Sequence, residues 1–348
     1  MSTIHETYMK RCLQLAKNGL SAAMPNPSVG AVIVHNDTII GEGYTSAYGG
    51  SHAEVNAVNS VQDKSLLKEA TIYVSLEPCS HFGKTPPCSD LIIQNKIPKV
   101  VIGTIDPFAK VAGRGIQKLK DAGREVVLDV LKDECIASNK RFFTFHQHKR
   151  PYIILKWAQT QDGFIDKIRN EHDPAQPNWI TNQYSRQLVH KWRSEEAAIL
   201  VGTNTAITDN PKLTTRDWYG KHPVRIVLDT SLRIPENYHL FDASVKTIVI
   251  TSQQKENTEN CIFETIDFSE HVTQQICDVL YRHNIQSVII EGGKQTLQTF
   301  IDANVWDEAR VFRGNNSFGN GIEAPQFSGQ LQQTTHIVND VLDIYKND

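Results

Sequence analysis

Between Ser75 and Asp90 the chain reads Ser-Leu-Glu-Pro-Cys-Ser-His-Phe-Gly-Lys-Thr-Pro-Pro-Cys-Ser-Asp, with two thiols, Cys79 and Cys88, each directly after a proline. Few folds accommodate that pattern. The preceding run, Ala70-Thr-Ile-Tyr-Val-Ser-Leu76, is β-branched and apolar and predicts a buried strand. Glu77-Pro78 ends it, leaving Cys79 on the turn at its carboxyl end. Pro86-Pro87 favours a helix starting at Cys88-Ser89, because proline is well placed where the first N–H has no intrahelical partner anyway. Upstream, His52-Ala53-Glu54 opens a further helical segment, Ala53 to Val58. Two helical positions two apart point about 200° from one another, so His52 and Glu54 share a site only if His52 sits in the irregular first turn. The sum is an open α/β layer whose imidazole, carboxylate and two thiols gather at strand ends and helix N-termini, where thiolates are favoured.

A chain of 348 residues is long for one core and suits two. Thirty-six basic against thirty-nine acidic residues give a net charge of −3, which offers no long-range attraction for nucleic acid or an anionic membrane and points to small-molecule partners. Six cysteines scattered through a chain without a secretory leader favour metal binding over a disulfide framework. Cys12, Cys135, Cys261 and Cys277 lie in apolar or helical contexts and read as buried small hydrophobes. The amino terminus has no basic and apolar leader pattern, and no stretch approaches a membrane span, so a cytoplasmic location is expected.

Taken in order, residues 4–18 predict an amphipathic helix, 29–34 and 38–41 a hairpin, 99–103 a strand, 113–122 a helix and 124–128 a last short strand. This predicts a three-layer α/β domain over residues 1–146. Phe142 to Arg150 passes from apolar to basic before Pro151 and reads as a linker, with His146 and His148 solvated in it. A second α/β series, residues 150–348, restarts at Tyr152-Ile-Ile-Leu-Lys-Trp157 and continues through strands at 197–201, 224–229, 246–250 and 287–291, with helices at 181–195, 271–283 and 294–303.

One histidine and two thiolates are the ligand set of a zinc centre that keeps its fourth position open to water, whereas structural sites close with four protein ligands. Glu54 beside that water suits general acid and base work. Together these parts describe hydrolytic deamination of an amidine-like carbon in a heterocycle. His81 qualifies as a fourth ligand by residue type; it is read as touching either the substrate or a metal ligand, because a fourth ligand would occupy the open position. The spacing also departs from the usual Pro-Cys-x-x-Cys of zinc deaminases: eight residues separate Cys79 from Cys88.

With that spacing, Pro25-Asn-Pro-Ser-Val-Gly30, His52-Ala-Glu-Val, Leu76-Glu-Pro-Cys-Ser-His81, Gly83-Lys-Thr-Pro-Pro-Cys88 and Val111-Ala-Gly-Arg-Gly115 resemble the deaminase half of the bifunctional riboflavin-biosynthesis deaminase/reductase family. The resemblance implies a cytidine-deaminase-like domain with one zinc ion on His52, Cys79 and Cys88, and Glu54 as the catalytic residue. It also implies a diaminopyrimidinone ribosyl phosphate as substrate, with Asn26 holding the pyrimidine and Lys84 on the phosphate. A lysine in a glycine-containing loop near helix N-termini agrees with that last role.

No Gly-x-Gly-x-x-Gly follows any strand of the second half, so a standard dinucleotide fingerprint is missing. Strand, Glu291-Gly-Gly293 and helix do occur in succession, and paired glycines at such a turn let backbone N–H groups approach a phosphate. The resemblance continues through Lys156-Trp-Ala-Gln-Thr-Gln-Asp-Gly163, Val201-Gly-Thr-Asn-Thr205, Asp209-Asn-Pro-Lys-Leu213 and Val288-Ile-Ile-Glu-Gly-Gly293, and implies a dihydrofolate-reductase-like domain using NADPH to reduce the ribosyl group. By position it assigns Ala158, Trp179, Thr205, Asp209, Thr230 and the run Gly293, Lys294, Gln295, Thr296, Leu297, Gln298, Thr299 to the cofactor. Lys156, Arg193, Leu213, Arg216 and Glu291 fall to the sugar phosphate, which two arginines can grip by paired hydrogen bonds. Departures are Gln161, where the family has leucine, and Pro177, where it has serine. A homo-oligomer is expected. The competing reading is a zinc nucleobase deaminase whose second domain is not catalytic.

Overall fold

In the computed structural model, which describes residues 3–82, 86–108, 112–169 and 178–347, Thr3 and Glu6 cap one another and start helix α1 (Ile4–Ala16). The Thr3 hydroxyl accepts the Glu6 N–H at 3.2 Å, and the Glu6 carboxylate accepts the Thr3 N–H at 3.3 Å. The chain divides into two units, Met1–His148 and Lys149–Asp348.

In the first unit the short helix α2 (Leu20–Ala23) precedes the hairpin of β1 (Gly30–His35) and β2 (Thr38–Tyr44). Then come α3 (Ala53–Ser60), β3 (Thr71–Val74), α4 (Cys88–Gln94), β4 (Lys99–Ile102), α5 (Arg114–Asp121) and β5 (Glu125–Val127). The sheet order is β2-β1-β3-β4-β5, with β1 antiparallel to both neighbours and β3, β4 and β5 parallel. Successive strand residues alternate between its faces. Ala31, Ile33, Ile72, Val74 and Val100 pack with Ala57, Ile92, Ile116 and Leu119. Val32, Val34, Tyr73 and Val101 pack with Met9, Cys12 and Cys135. Three layers result, with the carboxyl ends of the parallel strands opening toward the N-termini of α4 and α5.

Two helices close this unit, α6 (Lys132–Ser138) and α7 (Lys140–His148), and α7 overturns the expected linker. Phe142 and Phe143 join the apolar cluster under the sheet, and Phe145 is also buried. The His146 ring packs against Phe142 at 4.4 Å and Phe108 at 5.0 Å. Burial of the aromatic face selects helix over a solvated linker. Before α7, Asn139 binds the Ser28 backbone in both directions at 2.9 Å, tying this end of the unit to the start of β1.

The second unit runs β6 (Tyr152–Gln159), β7 (Phe164–Asp166), α8 (Gln183–Glu195), β8 (Ala198–Gly202), α9 (Thr203–Asp209), β9 (Val224–Leu228), β10 (Thr247–Thr251), β11 (Cys261–Thr265), α10 (Val272–Arg282), β12 (Ser287–Ile290), α11 (Lys294–Asp302), β13 (Glu308–Arg313), β14 (Ile322–Glu323), β15 (Gln330–Ile337) and β16 (Asp340–Lys346). Nine strands form one sheet in the order β11-β10-β9-β8-β12-β6-β13-β16-β15, while β7 pairs with β14. From β11 to β13 all neighbours are parallel; β16 and β15 are antiparallel additions. The chain leaves β6, winds outward through β8 to β11, then returns to insert β12 beside β6. Such a reversal opens a crevice at the carboxyl ends of the strands, where ligands collect in open α/β sheets. No helix among the described residues is long and apolar enough to cross a membrane.

Candidate active sites

In the first unit His52 is the extended N-cap of α3, outside the regular helix, so its ring turns to the same side as Glu54 in the first turn. Cys88 is the first residue of α4, and its N–H donates to the Cys79 sulfur at 3.3 Å. The Cys79 carbonyl accepts the Ser89 N–H at 3.1 Å, locking the turn after β3 onto the helix start. His52 Nδ1 lies 3.6 Å from Cys79 Sγ and 3.3 Å from Cys88 Sγ, and all three donor atoms fall within 4.8 Å of one another. Tetrahedral zinc bonds of about 2.3 Å to sulfur and about 2.0 Å to nitrogen require a sulfur-to-nitrogen edge of about 3.5 Å. The donor set and its spacing therefore fit zinc.

A hydrogen bond from Cys88, helped by His52, holds Cys79 well below the ordinary thiol range although burial opposes it. The same hydrogen bond and burial raise Cys88. Glu54 is 4% exposed, and burial followed by the charge of Cys79 pushes its carboxyl up to about 7.

Glu77 is a positioning residue that motif reading passed over. Its buried carboxylate accepts four backbone N–H groups: Gly115 at 2.9 Å and Ile116 at 3.2 Å on Oε1, Gly113 at 2.9 Å and Asp106 at 3.3 Å on Oε2. The start of α5 is thereby fixed two residues from Cys79. A Cβ on Gly115 would stand 2.0 Å from the Pro78 carbonyl oxygen, so only glycine permits this approach. Asp106 is also buried, and burial drives its carboxyl up to about 7 against the Phe108 N–H it accepts at 2.7 Å. Asn26 is half-buried on the turn after α2, and His81 is exposed, edge-on to Phe108 at 6.5 Å. Lys84, Val111 and Pro177 lie outside the described residues.

Among the described residues of the second unit, two neighbouring cavities lie at the strand ends. The larger, about 670 Å³, is lined by Ala158, Thr205, Asp209, Thr230, Gly293, Lys294, Gln295, Thr296, Leu297 and Thr299 among others. The smaller, about 410 Å³, is lined by Arg193, Leu213, Arg216 and Trp179, and also by Arg186 and His190. Lys156, Asn178, Thr205, Asp209 and Glu291 line both, so the cavities share a wall. Trp179 thus faces the smaller cavity, with the Arg186 guanidinium 4.4 Å above its ring. Gln298 turns to Asp302 at 2.7 Å and the Gln326 carbonyl at 3.0 Å.

Arg193 reaches across from α8 to donate to Glu291 at 2.7 Å and to the Thr214 carbonyl at 3.3 Å. Burial alone would raise Glu291, but Arg193 and Lys156 hold it down at about 2. Burial lowers Lys156, with Glu291 opposing. His190, absent from the sequence expectations, accepts the Arg216 N–H on Nδ1 at 3.2 Å and faces Asp217 at 3.4 Å through Nε2. Burial, then Arg193 and Arg216, push its imidazole down to about 4, so it stays neutral and keeps that acceptor. Gly293 caps α11 at φ +59°, and a Cβ there would meet Thr205 Oγ1 at 3.1 Å. The turn between β12 and α11 therefore needs glycine to bring its backbone to the larger cavity.

Comparison with known proteins agrees with both halves. Residues 2–104 match the cytidine and deoxycytidylate deaminase zinc-binding region, and residues 151–342 match the RibD C-terminal domain. The riboflavin biosynthesis protein RibD of Aquifex aeolicus is 40% identical over 324 residues, 92% of this chain and 89% of that one. Its namesake in Bacillus amyloliquefaciens is 35% identical over 94% of this chain and 89% of that one. Among solved structures, a diaminohydroxyphosphoribosylaminopyrimidine deaminase/5-amino-6-(5-phosphoribosylamino)uracil reductase from Thermotoga maritima superposes with a TM-score of 0.88 at 35% identity, over 99% of each chain. RibD of Acinetobacter baumannii gives 0.88 at 29% identity over the same shares. A zinc-fitting His-Cys-Cys cluster, a two-cavity reductase unit and relatives matched almost end to end lead to one conclusion: the chain belongs to the RibD family, the bifunctional deaminase/reductases of riboflavin biosynthesis.

Proposed function

We propose that the first unit deaminates 2,5-diamino-6-ribosylamino-4(3H)-pyrimidinone 5′-phosphate and that the second reduces the ribosyl group of the product to ribityl. What carries the reading is the presence in one chain of a three-donor metal cluster beside a buried carboxylate and of two cavities that share a wall. The activities of the Thermotoga maritima relative supply the substrate class. His52, Cys79 and Cys88 would hold the metal, which when bound would supply Lewis acidity toward a water molecule. Glu54 takes a proton from that water and returns one to the departing amine. Water's oxygen becomes the new carbonyl, the carbon–nitrogen bond breaks, and ammonia leaves. Asn26 and His81 flank the pyrimidine, and Lys84 takes the phosphate.

In the second unit NADPH fills the larger cavity, against Ala158, Thr205, Asp209, Thr230 and the turn from Gly293 to Thr299, and supplies hydride. Arg193, Leu213 and Arg216 hold the sugar phosphate in the smaller cavity. Lys156 and Glu291, on the shared wall, stand between the reacting ends, where C1′ of a ring-opened imine would accept the hydride and the imine nitrogen a proton from solvent. The chain acts in the cytoplasm as a homo-oligomer, without nucleic-acid or membrane partners, in keeping with its charge balance; light scattering of the purified protein tests the assembly.

The decisive experiment follows ammonia release and NADPH consumption in full-length Glu54→Gln protein. Deamination falls by about 10²- to 10⁴-fold while reduction of the deaminated substrate persists. Equal loss of both activities in folded, metal-loaded protein would sink the two-site reading. A silent second domain, the competing view, requires that NADPH never be consumed.

A further inference from the structure

We infer that Arg233 is the residue that recognises the 2′-phosphate of NADPH and sets the preference for NADPH over NADH. The inference rests on the proposed cofactor site and adds to it the end of the cavity that no motif identified. The larger cavity runs along the carboxyl ends of β6, β12, β8 and β9, four strands adjacent in that order. Three strand spacings of about 4.8 Å make a trough of about 14 Å, room for an extended dinucleotide. Its substrate end is the wall shared with the smaller cavity, at Lys156 and Glu291. Hydride transfer requires the nicotinamide there, which sends the adenosine to the opposite end, where Thr230 and Arg233 follow β9.

Charge accounting along the trough singles out Arg233. Four lysine or arginine side chains are among its lining residues. Arg169 is paired with Asp166 at 3.0 Å and Asp209 at 3.1 Å. Lys294 is paired with Glu323 at 3.3 Å. Lys156 is drawn to Glu291 at the opposite end. Arg233 has no carboxylate partner among the described residues; its guanidinium donates to the neutral Asn204 side chain at 3.3 Å and is otherwise exposed.

Its backbone, by contrast, is pinned. The buried Asp229 carboxylate accepts the Arg233 N–H at 3.0 Å and the Ile234 N–H at 2.9 Å, and also faces the Thr203 hydroxyl at 3.5 Å. A fixed turn presenting a guanidinium with only a neutral partner at the adenosine end is suited to a phosphate dianion, which arginine meets with two parallel N–H donors.

Equilibrium binding to the full-length protein tests this without turnover, using NADP⁺, NAD⁺, adenosine 2′,5′-bisphosphate and 5′-AMP as probes. In Arg233→Gln, NADP⁺ and the bisphosphate weaken by roughly 10- to 100-fold, the worth of one charge-assisted contact, while NAD⁺ and 5′-AMP bind as before. Arg233→Lys retains part of the preference. Equal weakening of all four probes, or unchanged NADP⁺ binding, overturns the role of Arg233 and leaves the cofactor site standing. Wild-type protein that binds none of the four overturns the cofactor site and this inference with it.

Discussion

Replacing Glu77 by glutamine tests whether one buried carboxylate holds the deaminase loop in place. Its two oxygens accept four backbone N–H groups from Asp106, Gly113, Gly115 and Ile116. A glutamine keeps one acceptor oxygen, enough for two of these donors, and turns an NH₂ group toward the other two. Losing two hydrogen bonds to a charged acceptor costs about 1.5–3 kcal/mol each, so about 3–6 kcal/mol in all. That is a large share of the roughly 5–15 kcal/mol that holds a domain folded. With a urea slope of about 2 kcal/mol per molar, the unfolding midpoint of the first unit falls by about 1.5–3 M. The two units can be read separately. All five tryptophans, at 157, 179, 192, 218 and 306, belong to the second unit, so fluorescence follows it alone. Release of zinc to a chromophoric chelator follows the first. The zinc-release midpoint should move and the fluorescence midpoint should hold. A zinc-release shift under about 0.5 M, or one matched by fluorescence, would refute the argument.

Two further outcomes follow from the second unit. His190 titrates at about 4 when folded and at about 6.5 when unfolded, so its stabilising contribution is complete above pH 6.5 and is lost as pH falls toward 4, a change of about 3 kcal/mol. Fluorescence-monitored stability should therefore decline with acid across that window, and His190→Gln should flatten the slope; an unchanged slope would count against the neutral-imidazole assignment. Gly293→Ala places a Cβ at φ +59° and 3.1 Å from Thr205, a strain of about 1–3 kcal/mol, and should weaken NADP⁺ binding about tenfold or more by calorimetry while zinc content stays whole. Retained affinity would show that the turn does not approach the cofactor.

Much of this architecture could be read from the residues, and the exceptions share a cause. Continuous apolar runs at 31–34 and 72–74 announce strands because their side chains pack on two faces. β15, Gln-Leu-Gln-Gln-Thr-Thr-His-Ile, announces nothing: it is an edge strand, largely exposed, held by backbone pairing to β16. α7 was hidden by its basic end, although Phe142 and Phe143 carry the packing. The metal donors were legible because residue type and local spacing nearly determine their chemistry. Glu77 and His190 were not, since both act on backbone N–H groups, Glu77 on those of residues 106–116 and His190 on that of Arg216, and a main-chain donor leaves no trace in residue identity. Cavity-lining residues such as Thr230 and Leu213 became visible only through family resemblance, because several strand ends must converge before they meet.

The wall between the two cavities restricts how this reductase can be tuned. Lys156, Asn178, Thr205, Asp209 and Glu291 each border both cavities, so no substitution among them is private to one ligand. By thermodynamic reciprocity, whatever a filled larger cavity does to affinity in the smaller one is returned in equal measure, whichever ligand arrives first. Adaptation at these five positions is therefore pleiotropic: it shifts two binding constants together. Independent adjustment is left to the outlying positions, Arg216 for one ligand and Thr230 for the other.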